Sequence, residues 1–386
     1  MNLEFLKIIM KVPLLDLKLQ YKTIKKEILK VTQDIFESQY FILGPHVETL
    51  EKDIARYCGT KHAVGVSSGT DALIISLMAA GIGDGDIVIT SPYTFFATAG
   101  SICRVGAKPI FADIDPETCN IDPKSISRVA DALSSKEKKR LKGIIPVHLY
   151  GQSAEMDTVL DFVKDYNLVV IEDAAQAMGS EYGEKRAGSM GDFGCFSFFP
   201  SKNLGAFGDG GMVTTDSDES NHNLQILRNH GAEPKYYHKI VGGNFRLDAL
   251  QAAIVSVKLK YLDSWTKGRR GNALKYRKLI TAAGLDKFLT LPEERQTRHI
   301  YNQFVINLTE KRDELRLFLQ ESGIGTEIYY PVPLHLQECF KGLGYKKGDF
   351  PVAEYAAEHT LALPVYSELS DDQIEYVVDK ISAFYR

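Results

Sequence analysis

Apolar residues recur at helical spacing through residues 16–40, where Leu17, Tyr21, Ile24, Ile28 and Val31 share one stripe. Gly44-Pro45 interrupts the pattern, and Val47, Leu50, Ile54 and Tyr57 mark a second helix. Short apolar runs then alternate with helical patterns. Ala63–Val66 reads as a strand, "TDALIISLMAAG" as a helix ended by Gly81, and "DIVIT" at 86–90 as a strand. A helix follows from about Thr94 to Val105, with further strands at 108–115, 143–151 and 168–174. These runs are apolar on both faces and bounded by Gly, Pro or Asp, as parallel strands covered by helices are. The alternation predicts an α/β fold, a three-layer α/β/α domain on a mostly parallel sheet. Past residue 262 the pattern changes to a basic helix, a strand at 299–308, a charged helix at 310–322 and a final helix at 370–385. We expect a large domain at 1–262 and a smaller α+β C-terminal domain at 263–386.

Composition narrows the classes. The chain has 386 residues, 44% hydrophobic and 25% charged, as an ordinary soluble protein has. Its 46 Lys and Arg against 50 Asp and Glu leave a net charge of −4, which gives no attraction to nucleic acid or an anionic membrane. The five cysteines form no CxxC pair and the nine histidines no HExxH, so no metal site is expected. Scattered single thiols suit a reducing cytoplasm. No apolar run reaches membrane-spanning length, and Glu4, Lys7 and Lys11 interrupt the apolar N-terminus, so a signal peptide is not expected.

Three stretches carry chemistry. In "VGVSSGTDALIISL" a strand ends in Ser67-Ser68-Gly69-Thr70 and a helix starts at once. The unpaired amides and positive dipole end of that helix can bind phosphate, although Ser68 also reads as a plain N-cap. In "LVVIEDAAQAMG" the pair Glu172-Asp173 falls at the carboxyl end of a buried strand, where ligands of such sheets bind. Alternation turns only one of the two acids into a site, with Gln176 a short turn later. The third stretch is "SFFPSKNLGAFGDGG", 197–211. A phosphate loop needs its glycines before the lysine; here they follow Lys202, and their spacing is not that of a dinucleotide loop. They read as permissive backbone, and the aromatic run before Lys202 as a dry wall that would depress the amine's pKa. A phosphate cradle, a strand-end acid and a desolvated lysine, in that order, are what a pyridoxal phosphate enzyme needs.

The ordered set "SGTDAL", "SPYTFFATA", "VHLYGQ", "IEDAAQAMG", "SFFPSKNLGAFGDGG" and "GGNFRLDALQAAI" resembles the DegT/DnrJ family of sugar aminotransferases, within the fold type I class of pyridoxal phosphate enzymes. The likeness runs from about Val12 to the end, and residues 1–11 precede the family's usual start as an extra tail. The resemblance implies that Lys202 holds the cofactor as a Schiff base and then moves the proton. It implies that Asp173 pairs with the pyridinium nitrogen, that Gln176 meets the ring hydroxyl, and that Ala175 and Phe95 cover the two ring faces. Ser68, Gly69, Thr70 and Ser197 would bind the phosphate. Asn244 would reach the phosphate of a neighbouring subunit, which implies a homodimer with shared active sites.

Retention of Lys202, where some relatives of this kind carry histidine and act as dehydratases, favours transamination from an amino acid, glutamate, to a keto group of a nucleotide-linked sugar. The segment "IGTEIYYPVPLHLQ" resembles the "HYP-x-P" stretch of relatives that aminate a 3-keto sugar. Tyr329 replaces the histidine there, and Tyr330 matches, so a 4-keto substrate stays open. Arg246 is expected to meet a diphosphate or carboxylate, and His335 to add a polar contact. Two rivals are a ligand-binding regulator that keeps the fold, and an amino-acid aminotransferase that clamps a second carboxylate with Arg295 or Arg298.

Overall fold

The computed structural model describes residues 10–386, so most of the expected N-terminal tail lies outside the described residues. The large sheet has seven strands: β1 His62–Val66, β2 Ile87–Thr90, β3 Lys108–Phe111, β4 Leu141–Ile145, β5 Val169–Asp173, β6 Phe193–Ser197 and β7 Gly211–Thr215. Their order is β1-β7-β6-β5-β4-β2-β3. Only β7 runs against its neighbours; the remaining pairs are parallel. The sheet is therefore mostly parallel, and it belongs to the α/β class.

Helices α1 Leu17–Ser38, α2 Pro45–Cys58, α3 Gly69–Ala79 and α4 Ala97–Arg104 precede or follow the first strands, and α5 Ala249–Leu259 returns to the sheet. Alternation along β6 shows the three layers. Phe193 and Cys195 pack with Leu73 and Leu77 of α3, whereas Phe196 packs with Leu50 and Ile54 of α2 and Val255 of α5.

Strands β6 and β7 are absent from the sequence-based expectation. Glycine hides β6: a Cβ on Gly194 would lie 2.3 Å from the Gly188 Cα and 2.4 Å from the Thr214 hydroxyl. Close backbone approach, rather than a turn, is what this glycine allows. The strands at 108–115 and 299–308 are also shorter than expected, ending at Phe111 and starting at Phe304.

A second core gathers the C-terminal elements. Strands β8 Leu289–Thr290, β9 Phe304–Leu308 and β10 Thr360–Leu363 form an antiparallel sheet. Helices α6 Leu262–Ala282, α7 Arg312–Glu321 and α8 Asp371–Phe384 cover it through Tyr276, Leu315 and Val377. Val12 joins this core, although it belongs by sequence to the expected large domain. Its amide donates to the Gly323 carbonyl at 2.9 Å, and its carbonyl accepts from Gly325 at 2.8 Å. No described helix is long and apolar enough to cross a membrane.

The end of β5 sets up the site. Glu172 is fully buried and accepts from the amides of Gly188 at 2.8 Å and Gly191 at 2.7 Å, and from Met190 at 2.6 Å. His148 Nε2 lies 2.8 Å from the same carboxylate. The other ring nitrogen, Nδ1, accepts the Ala154 amide at 3.0 Å, which leaves Nε2 as the donor to Glu172. Burial pushes the Glu172 pKa up, but the bonds from His148, Gly191 and Gly188 outweigh it and hold the group below the usual carboxylate range. Glu172→Ala leaves these donors unpaired in a dry place. It should cost about 3 kcal/mol or more in urea unfolding at neutral pH. Because the folded-state pKa is depressed, this contribution is present at neutral pH and is lost as the pH falls through it. The gap between wild type and Glu172→Ala should therefore narrow in acid; a gap that stays constant would show that Glu172 is not ionised.

Candidate active site

Asp173 turns to the opposite face from Glu172, as alternation requires, and lines a cavity of about 430 Å³ at the carboxyl ends of the strands. Its Oδ2 accepts the Thr98 hydroxyl at 2.7 Å, and its Oδ1 the Ala175 amide at 3.2 Å. Burial raises its pKa; Thr98, the Ala175 amide and Lys202 pull the other way without cancelling the shift.

Lys202 lines the same cavity. Burial pushes its amine down to about 8, with Asp173 opposing. The loop that carries it is tight: the Lys202 amide donates to Phe199 O at 2.8 Å, and a Cβ on Gly205 would lie 2.4 Å from the Pro200 carbonyl. Here the glycine serves close packing, and not phosphate. Another lysine, the fully buried Lys258 of α5, donates to the Gly205 carbonyl and so holds this loop from behind.

The phosphate cradle has a definite shape. Ser68 caps α3, its hydroxyl accepting from the Asp71 amide at 3.0 Å, so the plain N-cap reading is also true. Gly69 and Thr70 begin the helix, and their amides are the unpaired first-turn donors. Ser197 comes from the end of β6 and presses on Gly69, where a Cβ would lie only 2.7 Å from the Ser197 Cβ. Gly211 faces Ser68 as closely, a Cβ there lying 2.5 Å from the Ser68 carbonyl carbon. The bare backbone lets β6 and β7 close on the start of α3, and the first-turn amides of that helix are what an anion would meet.

Phe95, Ala175, Gln176, Tyr329 and Tyr330 line the cavity as well. Phe95 is 56% exposed, and its ring centre is 6.1 Å from that of Tyr330. Gln176 Nε2 donates to the Tyr330 hydroxyl at 3.0 Å. Asn302 and Gln303 also line it, with Asn302 Nδ2 donating to Gln303 Oε1 at 2.7 Å. Sequence reasoning missed this pair, as it missed Thr98, His148 and Lys258; Thr98 could have been found from its place inside the quoted "SPYTFFATA".

Asn244 and Arg246 line a separate, adjoining hollow that shares Ser68 and Asp209 with the main cavity. Arg246 donates to Asn229 Oδ1 at 2.9 Å, while its Nε is buried without a partner. His335 departs from expectation. It is buried away from the cavity, pairs with Glu354 at 2.9 Å and packs edge-on against Phe350, because its short helical turn points inward. Arg295 is paired with Asp115 and Glu117, and Arg298 with Glu181 and Asp263. Neither lines the main cavity, and Lys202 is the one cationic side chain that does among the described residues. No group of three His, Cys, Asp or Glu that could hold a metal occurs among the described residues.

A strand-end carboxylate, a desolvated lysine and a free helix end around one cavity define a pyridoxal phosphate-dependent aminotransferase of fold type I. The chain belongs to the DegT/DnrJ/EryC1/StrS aminotransferase family, whose model matches residues 22–382. Pyridoxal phosphate is the cofactor of such enzymes, and a solved member carries its pyridoxamine form. The chain is 51% identical over 377 residues to a "pleiotropic regulatory protein" of Geobacillus stearothermophilus, covering 98% of this chain and 99% of that one. It is 41% identical over 371 residues to a UDP-N-acetyl-3-dehydro-α-D-glucosamine 3-aminotransferase of Acidithiobacillus ferrooxidans, covering 96% and 97%. The solved structure of DesV from S. venezuelae, in complex with a ketimine intermediate, superposes with a TM-score of 0.91 at 37% identity, covering 97% and 98%.

The depressed pKa of Lys202 is directly measurable. Its neutral amine forms as the pH rises through about 8, against 10.5 for an ordinary lysine. Cofactor-free protein treated with a small aldehyde and then borohydride should be half-maximally labelled at Lys202 near that lower pH, as read by peptide mass spectrometry. A midpoint near the ordinary value would show the amine to be fully solvated.

Proposed function

We propose that this chain moves an amino group from glutamate to the keto group at position 3 of a nucleotide-linked sugar, as a cytoplasmic homodimer with shared active sites. The observation that carries the reading is the main cavity itself: one half-buried lysine and one buried aspartate beside a free helix end, with no arginine in its wall. An amino-acid aminotransferase with a dicarboxylate clamp has no arginine there to use, since Arg295 and Arg298 are both committed elsewhere. The adjoining hollow, with the unpartnered Nε of Arg246, suits an anionic substrate group such as a diphosphate or the donor's carboxylate. The 3-aminotransferase named among the relatives supports the keto position.

The residues fit the cofactor. The Gly69 and Thr70 amides with Ser197 would hold its phosphate, Asp173 its ring nitrogen and Lys202 its reactive carbon. When bound, the cofactor supplies an electron sink and carries the amino group between the two substrates. Lys202 Nζ takes the proton from the amine-bearing carbon of the donor and returns one to the former keto carbon of the sugar. A pKa of about 8 lets one amine serve as both base and acid near neutrality. Asp173, its pKa raised by burial, would hold a proton between its carboxylate and the ring nitrogen of the bound cofactor. Phe95 and Tyr330 exclude water from one side.

A second copy would cover exposed apolar side chains near the Asn244 hollow, among them Tyr40, Phe41 and Ile42, and would bring its own Asn244 to the phosphate. The regulatory name of one relative favours a second reading, binding without turnover. The presence of both Lys202 and Asp173 in one cavity weighs against it.

Borohydride should fix the cofactor on Lys202, and Lys202→Ala should lower turnover by about a thousandfold or more while still binding the cofactor. Mixing Lys202→Ala with Asn244→Ala protomers should restore part of the activity; no recovery would rule out shared sites. A screen of nucleotide-linked 3-keto and 4-keto sugars with glutamate decides the acceptor, and a wild-type enzyme that aminates none of them would favour the regulatory reading.

A further inference from the structure

Two tyrosines that do not themselves line the cavity hold its wall in place. Tyr93 follows β2 and Tyr150 follows β4, and both are nearly fully buried. Their hydroxyls meet at the Tyr329 carbonyl: Tyr93 donates to it at 2.8 Å, and Tyr150 donates to it as well. Each phenol has one proton, and a carbonyl has two lone pairs, so the two donors saturate this acceptor. The Tyr93 oxygen in turn accepts the Tyr330 amide at 3.2 Å. Thr360 of β10 lies 2.9 Å from the Tyr93 oxygen, and because the phenol proton is spent on Tyr329 the threonine hydroxyl is the donor, which ties the large sheet to the C-terminal one. Burial raises the pKa of both phenols, so both stay protonated donors.

Tyr150 acts a second time through its backbone. Its amide donates to Gln176 Oε1 at 2.8 Å, and this fixes which way the Gln176 amide points: its Nε2 is turned to the Tyr330 hydroxyl. For this the Tyr150 backbone takes φ 59°, a left-handed conformation that costs a bulky residue about 1 kcal/mol or more. The strain persists because the phenol and the amide are each held at a fixed partner.

We propose that Tyr150, assisted by Tyr93, is a positioning residue that fixes the Tyr329–Tyr330 wall and Gln176 in one geometry, and that this geometry selects the acceptor sugar. The inference rests on the function proposed above. A rigid sugar ring with a nucleotide attached must bring one carbon to the cofactor past Tyr329 and Tyr330, and it tolerates no displaced wall. A small flexible amino acid adapts to one.

The test uses Tyr150→Phe, which keeps the backbone and ring and removes one proton donor. Tyr93→Phe removes the other donor, and serves alone should the first variant not fold. The two half-reactions are followed separately by cofactor absorbance in single turnovers. The acceptor half-reaction should lose about tenfold in kcat/KM, mainly through KM, while the donor half-reaction changes by less than about threefold. Equal loss in both, or loss in neither, would overturn the proposal. Hydrogen–deuterium exchange, on loaded and on cofactor-free protein, gives an arm independent of turnover. Exchange of the peptide spanning 324–336 should quicken in the variants while the strands of the large sheet stay unchanged. Unchanged exchange there, or a uniform rise across the protein, would also overturn it. Should wild type aminate no sugar, the function proposed above fails while this exchange arm still decides whether the clamp exists.

Discussion

Two adjacent residues of one strand carry carboxylates of opposite character, and the site depends on their pointing to opposite faces. Glu172 and Asp173 are neighbours on β5, yet the pleat sends one into a niche of amides and the other into the cavity. The niche is fully supplied with donors, so Glu172 stays charged and immobile. In doing so it fixes the strand end, the 188–191 turn and His148 in a single arrangement. Asp173 is then presented at a fixed depth, with Thr98 and the Ala175 amide as its support. A register slip by one residue would exchange the two roles and destroy both.

The sequence made the cofactor chemistry readable because order along the chain carried it. A helix start at Gly69, an acid at a strand end and a lysine after an aromatic run are each local patterns. The alternation argument allowed only one of the two acids to face the site, and the geometry puts Asp173 there. What stayed hidden depends on contacts distant in sequence. Tyr150 meets Tyr329, Lys258 meets Gly205, and His148 meets Glu172 only after the chain has folded. His335 was misjudged for the same reason, since nothing local announces its pairing with Glu354. Strand β6 was missed because Gly194 looks like a turn residue, when its missing side chain in fact admits the Gly188 backbone.

The segment at 324–336 forms no strand of either sheet, and meets the C-terminal one only at Glu327, which pairs with Ala362 of β10. It passes from the C-terminal core to the mouth of the cavity, touching Val12 at one end and the Pro92 carbonyl, through the Leu334 amide at 2.7 Å, at the other. Between these points it carries Tyr329 and Tyr330. Cavity-lining side chains here hang on a stretch held by a few isolated backbone bonds and by the Tyr93 and Tyr150 hydroxyls, which permits its residues to vary without rebuilding a strand or helix.

Val12 has a further consequence, for the order of assembly. It is hydrogen-bonded on both sides to the turn at Gly323–Gly325 and packed in a core completed by Ile381. On the ribosome it emerges early, and its partners emerge near the end. The large sheet can form while Val12 waits, but the C-terminal core cannot close around it until almost the whole chain has been made. The last event of folding is then the joining of the chain's two distant stretches, and it sets the base on which the 324–336 segment rests.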